Sequence, residues 1–292
     1  MTSLKNRLDA YEQLLHLHRP LGILLLLWPI LSALWLATGG RPPLSLVIIF
    51  VMGTLLMRSA ACAFNDGLNR SGGCSAQGVI APWEALVIAS GLTLIAFCFA
   101  WFTTGFATGL LAAALVLALG LALLYWFFKC AFSLSQAFLG IVFSFGIPIA
   151  FAAANNTVPW YGWALMGITI FWVAAYDIEY AMANRDKDLE RGRRSSALIL
   201  GHCDVPAVAI CYGLYLAGMA AIGLWLRLGI AYGIALVLAT VGAAGFLWLI
   251  RRREASRCLT VFRHNHWVGM LIFIGIVADY ALRLHAWPIL GR

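Results

Sequence analysis

Apolar stretches, each long enough to cross a membrane, recur along this chain. Hydrophobic residues make up 63% of its 292 residues, and charged residues make up only 11%. An ordinary soluble domain has roughly 45–50% apolar and about 25% charged residues. Because a helix crosses the hydrocarbon core with about 20 apolar residues, this chain can form many spans. The composition excludes a soluble domain, a disordered chain and a nucleic-acid-binding protein.

Polar and proline-containing breaks divide the apolar sequence into nine predicted spans. Breaks fall at 39–43, 65–82 and 155–159 and at two charged loops. We therefore predict an all-α, polytopic membrane protein that forms a single domain over residues 1–292. The predicted spans are Leu21–Thr38, Leu44–Phe64, Trp83–Phe102, Phe106–Phe127, Leu134–Ala154, Gly162–Ala181, Val205–Leu226, Ile230–Leu249 and Trp267–Leu284.

The segment before the first span, residues 1–19, is polar and has mixed charge. Leu4, Leu8, Tyr11 and Leu15 recur at helical spacing, which predicts a cytoplasmic amphipathic helix. Such a helix lies on a membrane surface or in solvent, and the sequence favours neither. A signal peptide is excluded because the apolar run that follows is long enough to span.

The basic residues predict how the chain is oriented. With the N-terminus in the cytoplasm, 16 of the 20 Lys and Arg residues fall on the cytoplasmic side. The opposite orientation would violate the positive-inside rule. Nine spans then place the C-terminus on the far side of the membrane. The four basic residues on the far side are Arg41, Arg227, Arg283 and Arg292.

The acidic residues are concentrated on the same side. Eleven of the twelve fall on the cytoplasmic face, and only Asp279, one helical turn from Arg283, does not; these two predict a local ion pair. Two polar segments, 65–73 and 176–188, carry Asp and Asn at spacings of three or four, which share one face of a helix. Such oxygen ligands suit Mg²⁺ bound to a substrate phosphate. An ordinary turn in the first segment and a solvated loop in the second remain alternatives.

Several segments match one family of membrane enzymes. The matching segments are 18–22 with 24–29, 57–62 running into Asn65 and Asp66, 146–151, 176–188, and Cys258, Phe262, Asn265 and Gly269. On these residues the chain resembles the UbiA superfamily of intramembrane aromatic prenyltransferases, and most closely the bacterial 4-hydroxybenzoate polyprenyltransferases. The resemblance covers nearly the whole chain.

The resemblance implies a fold and a reaction. The spans would surround a central cavity, with two Asp-rich motifs facing each other at its cytoplasmic end and holding Mg²⁺. A polyprenyl group would pass from a polyprenyl diphosphate to an aromatic acid acceptor, 4-hydroxybenzoate, in ubiquinone biosynthesis. Membrane lipid would surround the protein, and no nucleic acid would bind.

The resemblance also assigns roles to residues of both motifs. The implied catalytic residues are Asp66, Asp177, Asp188 and Tyr180. The implied Mg²⁺ ligands are Asp66, Asp177, Asp186, Asp188, Asn69 and Asn184. The implied substrate-binding residues are Arg58, Asn65, Asn69, Lys129 and Arg185.

Three positions depart from the family pattern. Asn69, Gly73 and Asn184 stand where the family has carboxylates, so the metal set is less charged. Two hypotheses follow: an enzyme that works with this reduced set, or an inactive or weakly active homologue that binds isoprenoid lipid, quinone or a membrane partner. A transporter is disfavoured, because the carboxylates cluster at one face and transporters place their sites near the bilayer midplane.

Overall fold

The described part of the protein consists of helices joined by short loops and turns. The computed structural model describes residues 2–14, 21–68, 80–104, 141, 144–190, 192 and 195–286. All regular secondary structure in these ranges is helical, which confirms the all-α prediction. The helices are α1 Thr2–Leu14, α2 Leu21–Ala37, α3 Leu44–Leu68, α4 Pro82–Thr104, α5 Gly146–Asn155, α6 Trp160–Ala183, α7 Arg185–Glu190, α8 Ser196–Leu200, α9 Asp204–Trp225, α10 Ile230–Ile250, α11 Ala255–His264 and α12 His266–Ala286, with a 3-10 turn at Gly201–Cys203.

Several of these helices are long and apolar enough to cross a membrane. In the described ranges, five segments meet this condition: Leu44–Phe64, Trp160–Ala183, Ser196–Trp225, Ile230–Ile250 and Ala255–Arg283. Shorter apolar helices occupy Leu21–Ala37, Pro82–Cys98 and Gly146–Asn155. The protein is thus polytopic, as predicted. The number nine stays a prediction, because the predicted span Phe106–Phe127 and the first part of Leu134–Ala154 lie outside the described residues.

The chain groups into two compact units. The first comprises Met1–Leu27 and Pro43–Ala107, and the second comprises Trp28–Pro42 and Thr108–Arg292. In the first unit, α3 packs against α4, and α1 contacts α3. In the second unit, α6 packs against α5, α9 and α11, while α10 packs against α12. The single domain over 1–292 stays a prediction.

The N-terminal helix α1 is held against its own unit. Its buried Ala10 and Leu14 join an apolar cluster with residues of α3 and α4. At the edge of this cluster, Arg7 Nη2 donates to Glu84 Oε1 at 2.8 Å, and the Tyr11 hydroxyl donates to the same oxygen. Helix α1 therefore packs on α3 and α4. The cluster residues from α3, α4 and the segment before α4 are Ala63, Ile80, Ala85 and Ala89.

Helix α6 is the scaffold of the second unit. Pro159 precedes it in an extended conformation, and the 24 residues that follow span about 36 Å at about 1.5 Å each. Trp172 in its middle is fully buried and stacks on Tyr215 with ring centroids 5.5 Å apart. Gly269 of α12 makes room for this indole, since a Cβ there would lie 2.6 Å from Trp172 Cη2. The position of α6 is therefore fixed by close packing.

Two further predictions about local structure are resolved. The segment 65–67, which also fitted a turn, is helical, because α3 continues to Leu68. Asp279 does pair with Arg283 one turn later, with Oδ2 2.8 Å from Nε. Its Oδ1 accepts a bond of 2.7 Å from the backbone N–H of Gly229, so the carboxylate also ties α12 to the start of α10.

Candidate active site

The C-terminal part of α6 carries two carboxylates, Asp177 and Glu179. Successive residues of an α-helix are rotated by about 100°, so two residues separated by one lie on nearly opposite faces. The helix continues to Ala183, which places both carboxylates within regular helix. Their surroundings differ, and the difference distinguishes a structural group from a candidate functional group.

Glu179 belongs to a hydrogen-bonded network inside the second unit. Its side chain is fully buried, and Oε1 accepts a bond of 2.8 Å from the Tyr212 hydroxyl of α9. Its Oε2 accepts a bond of 2.6 Å from Asn265 Nδ2. The amide oxygen of Asn265 accepts a bond of 2.8 Å from Trp172 Nε1. Since buried polar groups are costly when unpaired, this network stabilises the packing of α6 on its neighbours.

Asp177 has no such partners. Its Oδ2 is buried and has no hydrogen-bond partner among the described residues. A buried carboxylate oxygen without a donor costs free energy unless a ligand satisfies it. A cation or a cation-bound ligand is the kind of group that does so. Asp177 is therefore the strongest candidate for a ligand-binding residue in the described part of the chain.

Tyr180 and Asn184 follow Asp177 on the same face of α6, at spacings of three and seven. Tyr180 is exposed, and its ring centroid lies 4.9 Å from that of Phe262 in α11. Asn184 ends the helix, and its Nδ2 donates to the Tyr180 carbonyl at 2.9 Å. This bond uses the nitrogen of the amide and leaves its oxygen for another group.

The short helix α7 continues the second motif. Asp188 N–H donates to the Asn184 carbonyl at 2.9 Å, an α-helical bond that spans the turn between α6 and α7. Asp186 is exposed and Asp188 is half-buried. The structure thus places Asp177, Tyr180, Asn184, Asp186 and Asp188 on two successive helices, α6 and α7, that meet at a turn at Asn184.

Arg185 is engaged with the buried carboxylate of Asp204. Its Nη2 donates to Asp204 Oδ2 at 2.9 Å and to the Ala197 and Gly201 carbonyls. Arg253 Nε donates to Asp204 Oδ1 at 2.9 Å from the other side, and this hydrogen bond raises the pKa of Arg253. Two guanidinium groups thus share one carboxylate and tie α7 to α9 and to the loop before α11. The prediction that Arg185 binds phosphate stays a prediction.

The residues predicted for the first motif lie in α3 or outside the described residues. Arg58 and Asp66 are half-buried and lie two turns apart on one face of α3, with Cys62 between them. Asn65 lies in the last turns of the same helix. The guanidinium of Arg58 rests against Gly22 in the first turn of α2. Asn69 and Lys129 lie outside the described residues.

Sequence reasoning did not find the Glu179 network or the ion pairs of Asp204 with Arg185 and Arg253. A Glu inside an otherwise apolar span is a functional signal that could have singled out Glu179. Its partners Tyr212 and Asn265 could not be found in this way, because they are 33 and 86 residues away in the sequence.

The second motif suits Mg²⁺ only with help from a substrate. No three His, Cys, Asp or Glu side chains of the described ranges converge closely enough to bind a metal ion alone. Mg²⁺ is commonly held by one or two carboxylates together with substrate phosphates and water. The unpartnered Oδ2 of Asp177 fits such a role, and Asn184, Asp186 and Asp188 supply further oxygen atoms nearby in the sequence.

These features define a class: an all-helical, multi-pass membrane protein with oxygen ligands at the end of one span. A model of the UbiA prenyltransferase family matches residues 26–271. The chain belongs to the UbiA prenyltransferase family.

Similar proteins of known name come from bacteria. The 4-hydroxybenzoate octaprenyltransferase of Janthinobacterium sp. (strain Marseille) is 45% identical over 95% of this chain and 100% of that protein. The protein of the same name from Ralstonia nicotianae is 43% identical over 97% of this chain and 99% of its own length.

Solved archaeal structures share the fold. A UbiA homologue from Aeropyrum pernix has a TM-score of 0.69 at 20% identity and covers 88% of this chain and 97% of its own. A UbiA homologue from Archaeoglobus fulgidus, bound to GPP and Mg²⁺, has a TM-score of 0.65 at 13% identity and covers 92% of this chain and 99% of its own. These two structures share the fold of this chain.

Proposed function

We propose that this protein transfers a polyprenyl group from a polyprenyl diphosphate to an aromatic acid, 4-hydroxybenzoate, in a reaction that requires Mg²⁺. We place it in a bacterial inner membrane, with the N-terminus in the cytoplasm and the C-terminus in the periplasm. The names of the bacterial relatives support the acceptor. The distribution of basic residues supports the orientation.

One observation carries the proposal for the site. Asp177 presents a buried oxygen with no partner in the described residues, on the face of α6 that continues to Tyr180 and Asn184. The opposite face of the helix, with Glu179, is held by hydrogen bonds. The chain therefore holds Asp177 in place without using its charge, as a ligand-binding carboxylate requires.

The proposed reaction breaks the bond between C1 of the prenyl chain and the diphosphate oxygen. Mg²⁺, when bound, neutralises the negative charge that develops on the leaving diphosphate. Asp177 and Asp188, with Asn184 and Asp186, would hold that ion. The resemblance adds Arg58, Asn65, Asp66, Asn69, Lys129 and Arg185 as groups for the diphosphate and its ion.

The departing diphosphate leaves an allylic cation at C1. The rings of Tyr176 and Tyr180 both approach Phe262, with centroids 6.3 and 4.9 Å away, next to Asp177 on α6. Aromatic faces attract cations, and such rings exclude water that would quench the cation. The ring carbon beside the phenol hydroxyl of the acceptor then forms the new C–C bond with C1, and its proton passes to the released diphosphate.

A second candidate function rests on the three substitutions. Asn69, Gly73 and Asn184 remove three negative charges from the family's metal set. A loss of about 4 kcal/mol of transition-state stabilisation would slow the reaction roughly a thousandfold. In this case the protein would bind isoprenoid lipid, quinone or a membrane partner without rapid turnover.

A transfer assay in reconstituted membranes distinguishes the two. The assay contains radiolabelled 4-hydroxybenzoate, a series of polyprenyl diphosphates, and either Mg²⁺ or EDTA. Asp177→Asn tests the site, and Glu190→Gln, which changes an exposed carboxylate of α7, is the matched control. We expect lipid-soluble product that requires Mg²⁺ with wild type and Glu190→Gln and is lost with Asp177→Asn. No product from folded wild-type protein with any donor would favour the second candidate.

A further inference from the structure

Gly22 and Arg58 are in unusually close contact. A Cβ built on Gly22 would lie 2.9 Å from both Nε and Nη2 of Arg58 and 3.3 Å from its Cζ. These three atoms belong to the planar guanidinium group. The charged end of Arg58 in α3 therefore lies against the backbone of α2 at a distance that a side chain at position 22 would prevent.

The backbone gives no other reason for glycine at this position. Gly22 lies in the first turn of a helix and is not among the described residues with positive φ. Glycine in a helix costs roughly 0.5–1 kcal/mol relative to alanine. The close approach of the Arg58 guanidinium is thus what requires glycine at position 22.

The location of Arg58 gives this contact a functional meaning. Arg58 shares one face of α3 with Asp66, two turns further on. A guanidinium binds phosphate oxygens with directed hydrogen bonds, so its position decides how well those bonds form. Anything that fixes the guanidinium next to α2 also fixes the direction from which it can meet an anion.

We infer that Gly22 is a positioning residue for Arg58 and that it sets the affinity of the site for the diphosphate group. This inference rests on the proposed function, in which Arg58 contacts that group. A methyl group at position 22 would displace the guanidinium. Because the atoms it meets are the far end of a flexible side chain, the helix itself would accept the change without strain.

The test compares two glycine-to-alanine variants in purified, lipid-reconstituted full-length protein. Gly22→Ala is the test variant. Gly53→Ala is the matched control, because Gly53 lies in α3 and a Cβ there would meet nothing within 4 Å. Two quantities are measured: the inhibition constant of inorganic diphosphate with Mg²⁺ in the transfer assay, and the thermal midpoint with and without Mg²⁺ and diphosphate.

In the test variant the affinity for diphosphate should fall, and the ligand-free thermal midpoint should not. We expect Gly22→Ala to weaken diphosphate binding about tenfold, as for a misplaced charged hydrogen bond, while its ligand-free thermal midpoint stays equal or rises. Gly53→Ala should leave diphosphate binding unchanged. Equal diphosphate binding by Gly22→Ala and wild type would overturn the inference, and so would a weaker binding that accompanies a lower ligand-free midpoint.

A double-mutant cycle establishes whether Gly22 acts through Arg58. Arg58→Ala should weaken diphosphate binding about ten- to a hundredfold, and Gly22→Ala should add nothing in that background. Additive effects would overturn the inference. Wild-type protein that neither transfers a prenyl group nor gains thermal stability from Mg²⁺ and diphosphate would overturn the proposed function and the inference together. Active wild-type protein with an unaffected Gly22→Ala variant would overturn the inference alone.

Discussion

The two carboxylates on opposite faces of α6 differ in their hydrogen bonding. Glu179 is surrounded by donors from α9 and from Asn265, while Asp177, separated from it by one residue, leaves an oxygen unpartnered among the described residues. Both side chains belong to the same apolar helix. Burial alone therefore does not indicate what a carboxylate does. The hydrogen-bond partners of the carboxylate distinguish a group that stabilises the fold from a group that is available to bind a ligand.

The largest expected effect on activity follows from replacing Asp177, the carboxylate with the unpartnered oxygen. Asp177→Asn should reduce prenyl transfer about a thousandfold, because it removes a charge that the proposed metal site needs. The thermal midpoint should not fall, since no hydrogen bond to Oδ2 is lost. Initial rates and thermal unfolding of the same preparation measure both. An active variant, or one that is inactive because it is unfolded, would break the comparison.

Replacing Glu179, the hydrogen-bonded carboxylate, should lower the stability of the protein. Glu179→Ala leaves the Tyr212 hydroxyl without its acceptor, removes one of the two acceptors of Asn265 Nδ2 and creates a cavity. These losses should cost about 3 kcal/mol of unfolding free energy. Glu179→Gln keeps the shape and one acceptor oxygen, so its loss should be smaller. Unfolding in mild detergent measures the difference. If Glu179→Ala were as stable as wild type, the network would not be structural.

Asp204, which is paired with Arg185 and Arg253, is a second buried carboxylate whose partners stabilise the fold. Asp204→Asn should cost about 2 kcal/mol, because Arg185 and Arg253 then face each other without the negative charge between them. The double variant Asp204→Asn with Arg253→Gln should recover part of this loss. Thermal unfolding of the two variants gives the coupling. A double variant less stable than Asp204→Asn would show that repulsion between the guanidinium groups is not the cause.

The smallest effect is expected at Tyr180. Tyr180 is exposed, and its ring packs on that of Phe262. Tyr180→Phe retains this contact and should change the transfer rate by less than about tenfold. Tyr180→Ala removes the ring and should have the larger effect. Rates for both variants separate the hydroxyl from the ring. A Tyr180→Phe rate as low as that of Asp177→Asn would make the hydroxyl part of the chemistry.

The sequence predicted the class of fold and the face that carries the second motif. Spacing alone places Asp177, Tyr180 and Asn184 on one side of a helix, because helical periodicity is a local property. The sequence could not predict that Asp177 has an unpartnered oxygen or that Arg58 lies against Gly22. Both depend on packing between helices that are distant in the sequence, and no local pattern encodes such contacts. The amphipathic pattern of residues 1–19 likewise did not indicate which surface the helix would cover.

The anchoring of α1 has a consequence for the order in which the protein is made. Its ion-pair partner Glu84 follows Arg7 by 77 residues, so the first helix leaves the ribosome long before its docking surface exists. During this interval Arg7 and Tyr11 lack the carboxylate that they share in the folded protein. Helix α1 can reach its final place only once α4 has been synthesised.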